Sequence, residues 1–94
     1  MFALADKEWP GTSKLIEECG EVLQVCGKLM GSRGDTNHWS GDLRAKFVEE
    51  LSDLSAAMAV FITLNMTDEE IAQMDVQTMA KMQKYFQWHE NDNK

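Results

Sequence analysis

Apolar residues recur at spacings of three and four along three stretches of the chain, with no convincing strict alternation, so the pattern predicts three helices and no strand. The first covers residues 12–30, with Thr12 or Ser13 placed to cap it and GSRG as its stop. The second covers residues 41–65, capped by Ser40 and with Asp42 in its first turn. The third opens on TDEE, where Thr67 and Glu70 have capping-box spacing, and runs to residue 88, leaving HENDNK (89–94) as a frayed polar tail. The connector GSRGDTNHWS is longer than a usual helix-to-helix turn, and extra length there often carries function. The first ten residues either form a short helical turn or lie across the bundle, with Phe2, Leu4 and Trp9 as anchors.

A chain of 94 residues forms one domain, residues 1–94. A domain of that size buries only about 60 to 65% of its unfolded surface, which favours a homo-oligomer. Seven Met and a single Pro suit helices rather than many short strands, so the expected class is all-α. The formal charge of −7 repels phosphate-rich surfaces and argues against nucleic acid or an anionic membrane as partner. No stretch is apolar enough to span a bilayer, and MFALADKEWPG lacks the features of a signal peptide, so a cytoplasmic location is expected. Cys19 and Cys26 stand seven residues apart on one helix, about 10 Å along its axis, too far for a disulfide; both fall on the apolar stripe and are expected to be buried thiols.

The acids change the picture. With Leu15 at zero on a helical wheel, the apolar arc of the first helix runs from roughly 280° through 0° to 100°, and Glu18 falls inside it at about 300°. Glu21 lies at its edge, at about 240°, and Glu17 faces outward, at about 200°. On the second helix, with Leu43 at zero, Glu50 falls at about 340°, in mid-stripe, and Asp53 at about 280°. The residues that mark this stripe are Phe47, Leu51, Leu54, Ala57, Met58 and Phe61. Each helix therefore carries an acid pair at i, i+3 directed inward. Buried carboxylates cost several kcal/mol unless protonated, paired or bound to metal. Lys14 sits one turn ahead of Glu18, while Arg44 and Lys46 lie mostly off the face of Glu50, so one or two divalent cations with oxygen ligands would compensate better.

EECGE (Glu17, Glu18, Glu21) followed by ELSD (Glu50, Asp53) resembles the EExxE and ExxD motifs of the all-α nucleotide pyrophosphohydrolases, the group of MazG-like enzymes and dimeric dUTPases. The resemblance covers residues 12–65, and the 28 residues from 22 to 49 between the motifs fall at the long end of the family's spacing. It implies hydrolysis of a nucleoside triphosphate to the monophosphate and pyrophosphate, in nucleotide-pool cleansing. Mg2+, with Mn2+ as a substitute, would be held by Glu18, Glu21, Glu50 and Asp53. Glu18 or Glu21 would orient the attacking water, and Glu17 would support a ligand or be solvated. Lys14 is placed to touch phosphate, its other reading being an i, i+4 pair with Glu18. Arg33, Asn37, His38 and Trp39 on the connector can clamp phosphates and stack a base, or form a surface loop. Family members that select one pyrimidine carry an aromatic residue soon after EExxE; VCGKLM, with Lys28, stands here instead.

The expected architecture is a compact three-helix protomer that pairs with a symmetric copy into a four-helix-bundle-type homodimer or homotetramer. Ile71, Met74, Met79, Met82 and Phe86 on the third helix would give core and part of the subunit contact, and Trp9, Tyr85 and Trp88 are expected as packing or dimer residues. The alternative is a non-catalytic helical interaction module on the same scaffold. A di-iron carboxylate protein is weaker, because such sites use Glu-x-x-His pairs and His38 and His89 lie off the acid helices.

Overall fold

The computed structural model describes residues 3–93, which form an all-α chain with one two-residue ladder. Phe2 and the side chain of Leu4 lie outside the described residues. Helix α1 spans Ala3–Glu8 and turns through Trp9, Pro10 and Gly11 into α2, Thr12–Gly31. Gly11 has φ of 90°, a left-handed conformation that costs glycine little. It occupies the N-cap without a side chain to offer, so neither Thr12 nor Ser13 caps the helix. Asp6 does that work from α1. Its carboxylate accepts the Ser13 backbone N–H at 2.7 Å and the Ser13 hydroxyl, and these hydrogen bonds hold its pKa below the usual 3.8.

The GSRG stop is realised by two left-handed residues, Arg33 (φ 57°) and Gly34 (φ 88°), and the Gly34 N–H closes back on Leu29 O at 2.9 Å. The connector then folds into a small hairpin not expected from the pattern. Strands β1 (Asn37–His38) and β2 (Gly41–Asp42) pair antiparallel around a Trp39–Ser40 turn, a ladder too short to leave an alternating signature. Helix α3 accordingly starts later than expected and spans Leu43–Asn65. Its N-cap is Asp42, which accepts the Arg44 N–H at 3.0 Å, rather than Ser40.

The principal packing is α2 against α3. Val25, Leu43 and Ala57 are its buried apolar side chains among the described residues, and of these Leu43 is fully buried. The elbow before α2 is pinned to the end of α3: Trp9 stacks on Phe61 with ring centroids 6.3 Å apart, and the Asn65 amide donates to Pro10 O at 2.8 Å. Helix α4, Asp68–Asp92, opens with the expected capping box between Thr67 and Glu70. It continues well past residue 88, so most of the segment expected to fray is helical. Only Ile71 and Met74 on α4 are half-buried, and residues 75–93 are exposed. Cys19, expected inside, is exposed and Cys26 is half-buried. No helix among the described residues is long and apolar enough to cross a membrane.

Candidate metal centre

Helices place the acids. Glu18 on α2 and Glu50 and Asp53 on α3 face each other across the packed pair, with a carboxylate oxygen of each within 4.8 Å of the others. Glu18 and Glu50 are only 4% and 5% exposed, as their positions within the apolar arcs predict, while Asp53, expected to point inward, opens to solvent. Three like charges at that distance repel unless something positive joins them.

Two lysines supply part of that charge. Lys14 Nζ lies 2.9 Å from Glu18 Oε1 and 3.6 Å from Glu17 Oε1. Its hydrogen bond to Glu18, with the nearby charges of Glu17 and Glu18, holds its ammonium above the ordinary 10.5. Lys46 Nζ lies 3.5 Å from Glu50 Oε1 and 3.9 Å from Glu49 Oε2. Lys46, expected off the face of Glu50, stands on it: at i, i+4 it lies only about 40° from Glu50 on the wheel, the same offset as Lys14 from Glu18. Even so, Glu18 Oε2 is buried with no hydrogen-bond partner. A buried carboxylate oxygen left bare is costly, and buried polar atoms nearly always find a partner.

The donor set therefore fits a hard divalent cation: carboxylate oxygens only, two of the three residues buried, one oxygen unsatisfied. His38 and His89 take no part, which removes support for the di-iron reading; His38 sits in the hairpin with Nδ1 2.6 Å from Ser40 Oγ, and His89 lies near the end of α4.

A cavity of about 330 Å³ opens beside the acids, lined by Gly11, Lys14, Glu18, Asp53 and the small side chains of Ala56 and Ala57, with Val60 as a wall. The low wall follows from the residue types: a bare Gly11 and two alanines leave space where larger side chains would close it. The helical wheel does not show this patch, because alanines and glycine carry little pattern signal. A second cavity of about 330 Å³ lies between α2 and the start of α3, with Lys28, Ser40, Asp42, Lys46 and Glu49 in its lining.

The other expected site residues are dispersed. Glu21 is half-buried one turn past Glu18 and stands outside the three-carboxylate cluster. Glu17 is exposed beside Lys14. Arg33 ends α2, Asn37 and His38 form β1, and Trp39 projects from the hairpin tip, 91% exposed; none of these four lines the cavity at the acids. No family model, no curated protein and no solved structure matches this chain.

Proposed function

We propose that the protein is a Mg2+-dependent nucleoside triphosphate pyrophosphohydrolase acting in the cytoplasm, converting (d)NTP and water to (d)NMP and pyrophosphate. The observation that carries this reading is the Glu18, Glu50 and Asp53 cluster with its unsatisfied buried Glu18 oxygen. Bound Mg2+ would supply neutralisation of the triphosphate, polarisation of phosphorus and a more acidic water. The chain's own residues do the rest. Glu18 and Glu50 offer oxygens held rigid by burial, and Asp53 offers one from the solvent side. Glu21, on the same helix face, orients the attacking water and accepts its proton, and Glu17 steadies Lys14 at 3.6 Å. Lys14, at the cavity rim, meets the phosphates. The apolar part of the cavity takes the nucleoside.

Pyrophosphate release from a panel of dNTPs with Mg2+ tests this, with turnover of at least one nucleotide expected and its loss on chelation. Absence of turnover with every nucleotide would favour a non-catalytic interaction module, a reading supported by the exposed apolar residues of α4. The cavity makes a separate prediction. Ala56→Leu, at an exposed position, should leave the melting temperature within about 2 °C, since surface changes shift stability little. It should raise KM about tenfold by taking up nucleoside space, and an unchanged KM would remove the nucleoside from that cavity.

A further inference from the structure

The two ion pairs have the same layout on different helices. Each lysine stands four residues before a buried glutamate and three before an exposed one: Lys14 before Glu18 and Glu17, Lys46 before Glu50 and Glu49. The buried glutamate side chains are 6% exposed in both cases, whereas the lysines are 61% and 46% exposed and the outer glutamates 58% and 63%. One partner is fixed, and the other is free to move. We propose that Lys14 and Lys46 are the resident counter-ions of the acid cluster, each holding a buried glutamate in the cation-free protein and passing to the adjacent outer glutamate when a divalent cation binds.

The charges make this reasonable. Three clustered carboxylates carry three negative charges and two lysines return two, but the lysines are shared with Glu17 and Glu49, so the empty site is partly neutralised and keeps an excess of negative charge that draws a cation. An ammonium cannot do all that a small divalent ion does: it donates three hydrogen bonds as a point charge, and Glu18 Oε2 stays unsatisfied with Lys14 in place. A hard cation binds several carboxylate oxygens at once, so it displaces both lysines. The outer carboxylates, already 3.6 and 3.9 Å away, receive the ammonium groups without any helix moving. Lys14 remains at the cavity rim after the exchange, positioned for an anionic occupant. The lysines are thus positioning residues that, each within its own helix, lower the repulsion between the facing acids of α2 and α3 when the site is empty.

The inference rests on the cation reading, and calorimetric titration of the cation-free full chain with Mn2+ alone separates the two. At about pH 8, where carboxylates are ionised, Lys14→Met and Lys46→Met should each bind Mn2+ about 3- to 5-fold more tightly than the parent, the factor an ordinary partly exposed ion pair contributes. Lys28→Met removes the same charge about 15 Å along α2 from Glu18 and should change affinity less than about twofold, since that exceeds the screening length. Lys14→Met should also melt lower without Mn2+ and gain more from it. Lys14→Gln serves equally where the methionine variant does not fold. Binding to the parent with no tightening in either variant, or equal tightening by Lys28→Met, overturns the counter-ion role and leaves the cation reading standing. No Mn2+ binding by parent or variants overturns both.

Discussion

Replacing Glu50 by glutamine is expected to lower pyrophosphate release by at least about a hundredfold at saturating nucleotide and Mg2+, while the cation-free protein melts no lower than the parent. The two halves come from one geometry. Glu50 is 5% exposed and shares a 4.8 Å cluster with Glu18 and Asp53, so its charge is a donor when a cation is present and a source of repulsion when one is not. Glutamine keeps the shape and one oxygen but removes that repulsion. What it loses is the Lys46 pair, at 3.5 Å and with the lysine half exposed, a contact of the size of ordinary surface pairs, about 0 to 1 kcal/mol. Relief and loss are therefore similar in size without the cation, and only the donor is missing with it. Melting curves with chelator and with Mg2+ check the second half: the parent should gain stability from Mg2+ by mass action and the variant should not. A variant that unfolds without cation while the parent stays folded would make Glu50 a structural residue and remove the central ligand from the proposed site.

The parts of this site that are legible in sequence are those written in helical period. Glu18 lies inside its apolar arc and Glu50 in mid-stripe, and the spacing that puts them there also decides their burial once α2 and α3 pack. Glu21 sits at a stripe edge, where the wheel says only that a residue borders the core, and packing leaves it half-buried outside the cluster; Asp53, expected to point inward between Val60 and Leu64, is exposed within it. Lys46 is legible too, because i, i+4 sets it about 40° from Glu50, as it sets Lys14 from Glu18. The hairpin and the Asp6 cap are not legible, since both depend on single contacts between segments: two paired residues on each strand, and one carboxylate meeting Ser13. The helix boundaries differ from expectation where side chains compete to cap. Ser40, Asp42, Thr12 and Ser13 are all good N-cap types, and only the path of the backbone chooses among them. The helical content of residues 89–92 is hidden by polar composition, which marks exposure rather than disorder on a helix as long as α4.

The protein is expected to sediment as a dimer or larger assembly, and a Met79→Glu, Phe86→Glu double variant is expected to weaken that association by at least about a hundredfold, equivalent to about 3 kcal/mol. The protomer is open for its size. Its radius of gyration is 16.4 Å, where a compact chain of this length has about 12 Å. Its accessible surface is 7598 Å², where a compact monomer of its mass shows about 5500 Å². The surplus, on the order of 2000 Å², is comparable with the area each chain loses in a large obligate interface. Much of it is apolar: Met79, Met82 and Phe86 lie within roughly 60° of one another on α4, and all three are exposed, as are Leu23, Leu51 and Met58 on the other long helices. A core with only three buried apolar residues among those described holds a marginal fold, and covering this surface with a second copy would add what one chain lacks. Burying a Phe side chain contributes about 1.5 to 3 kcal/mol, and a carboxylate in its place must be desolvated to keep the contact, so the two substitutions in each copy suffice for the stated loss. Sedimentation velocity across a concentration series measures it. A parent that sediments as a 10.7 kDa monomer at every concentration would leave the apolar face of α4 to a different partner and return the interaction-module reading to first place.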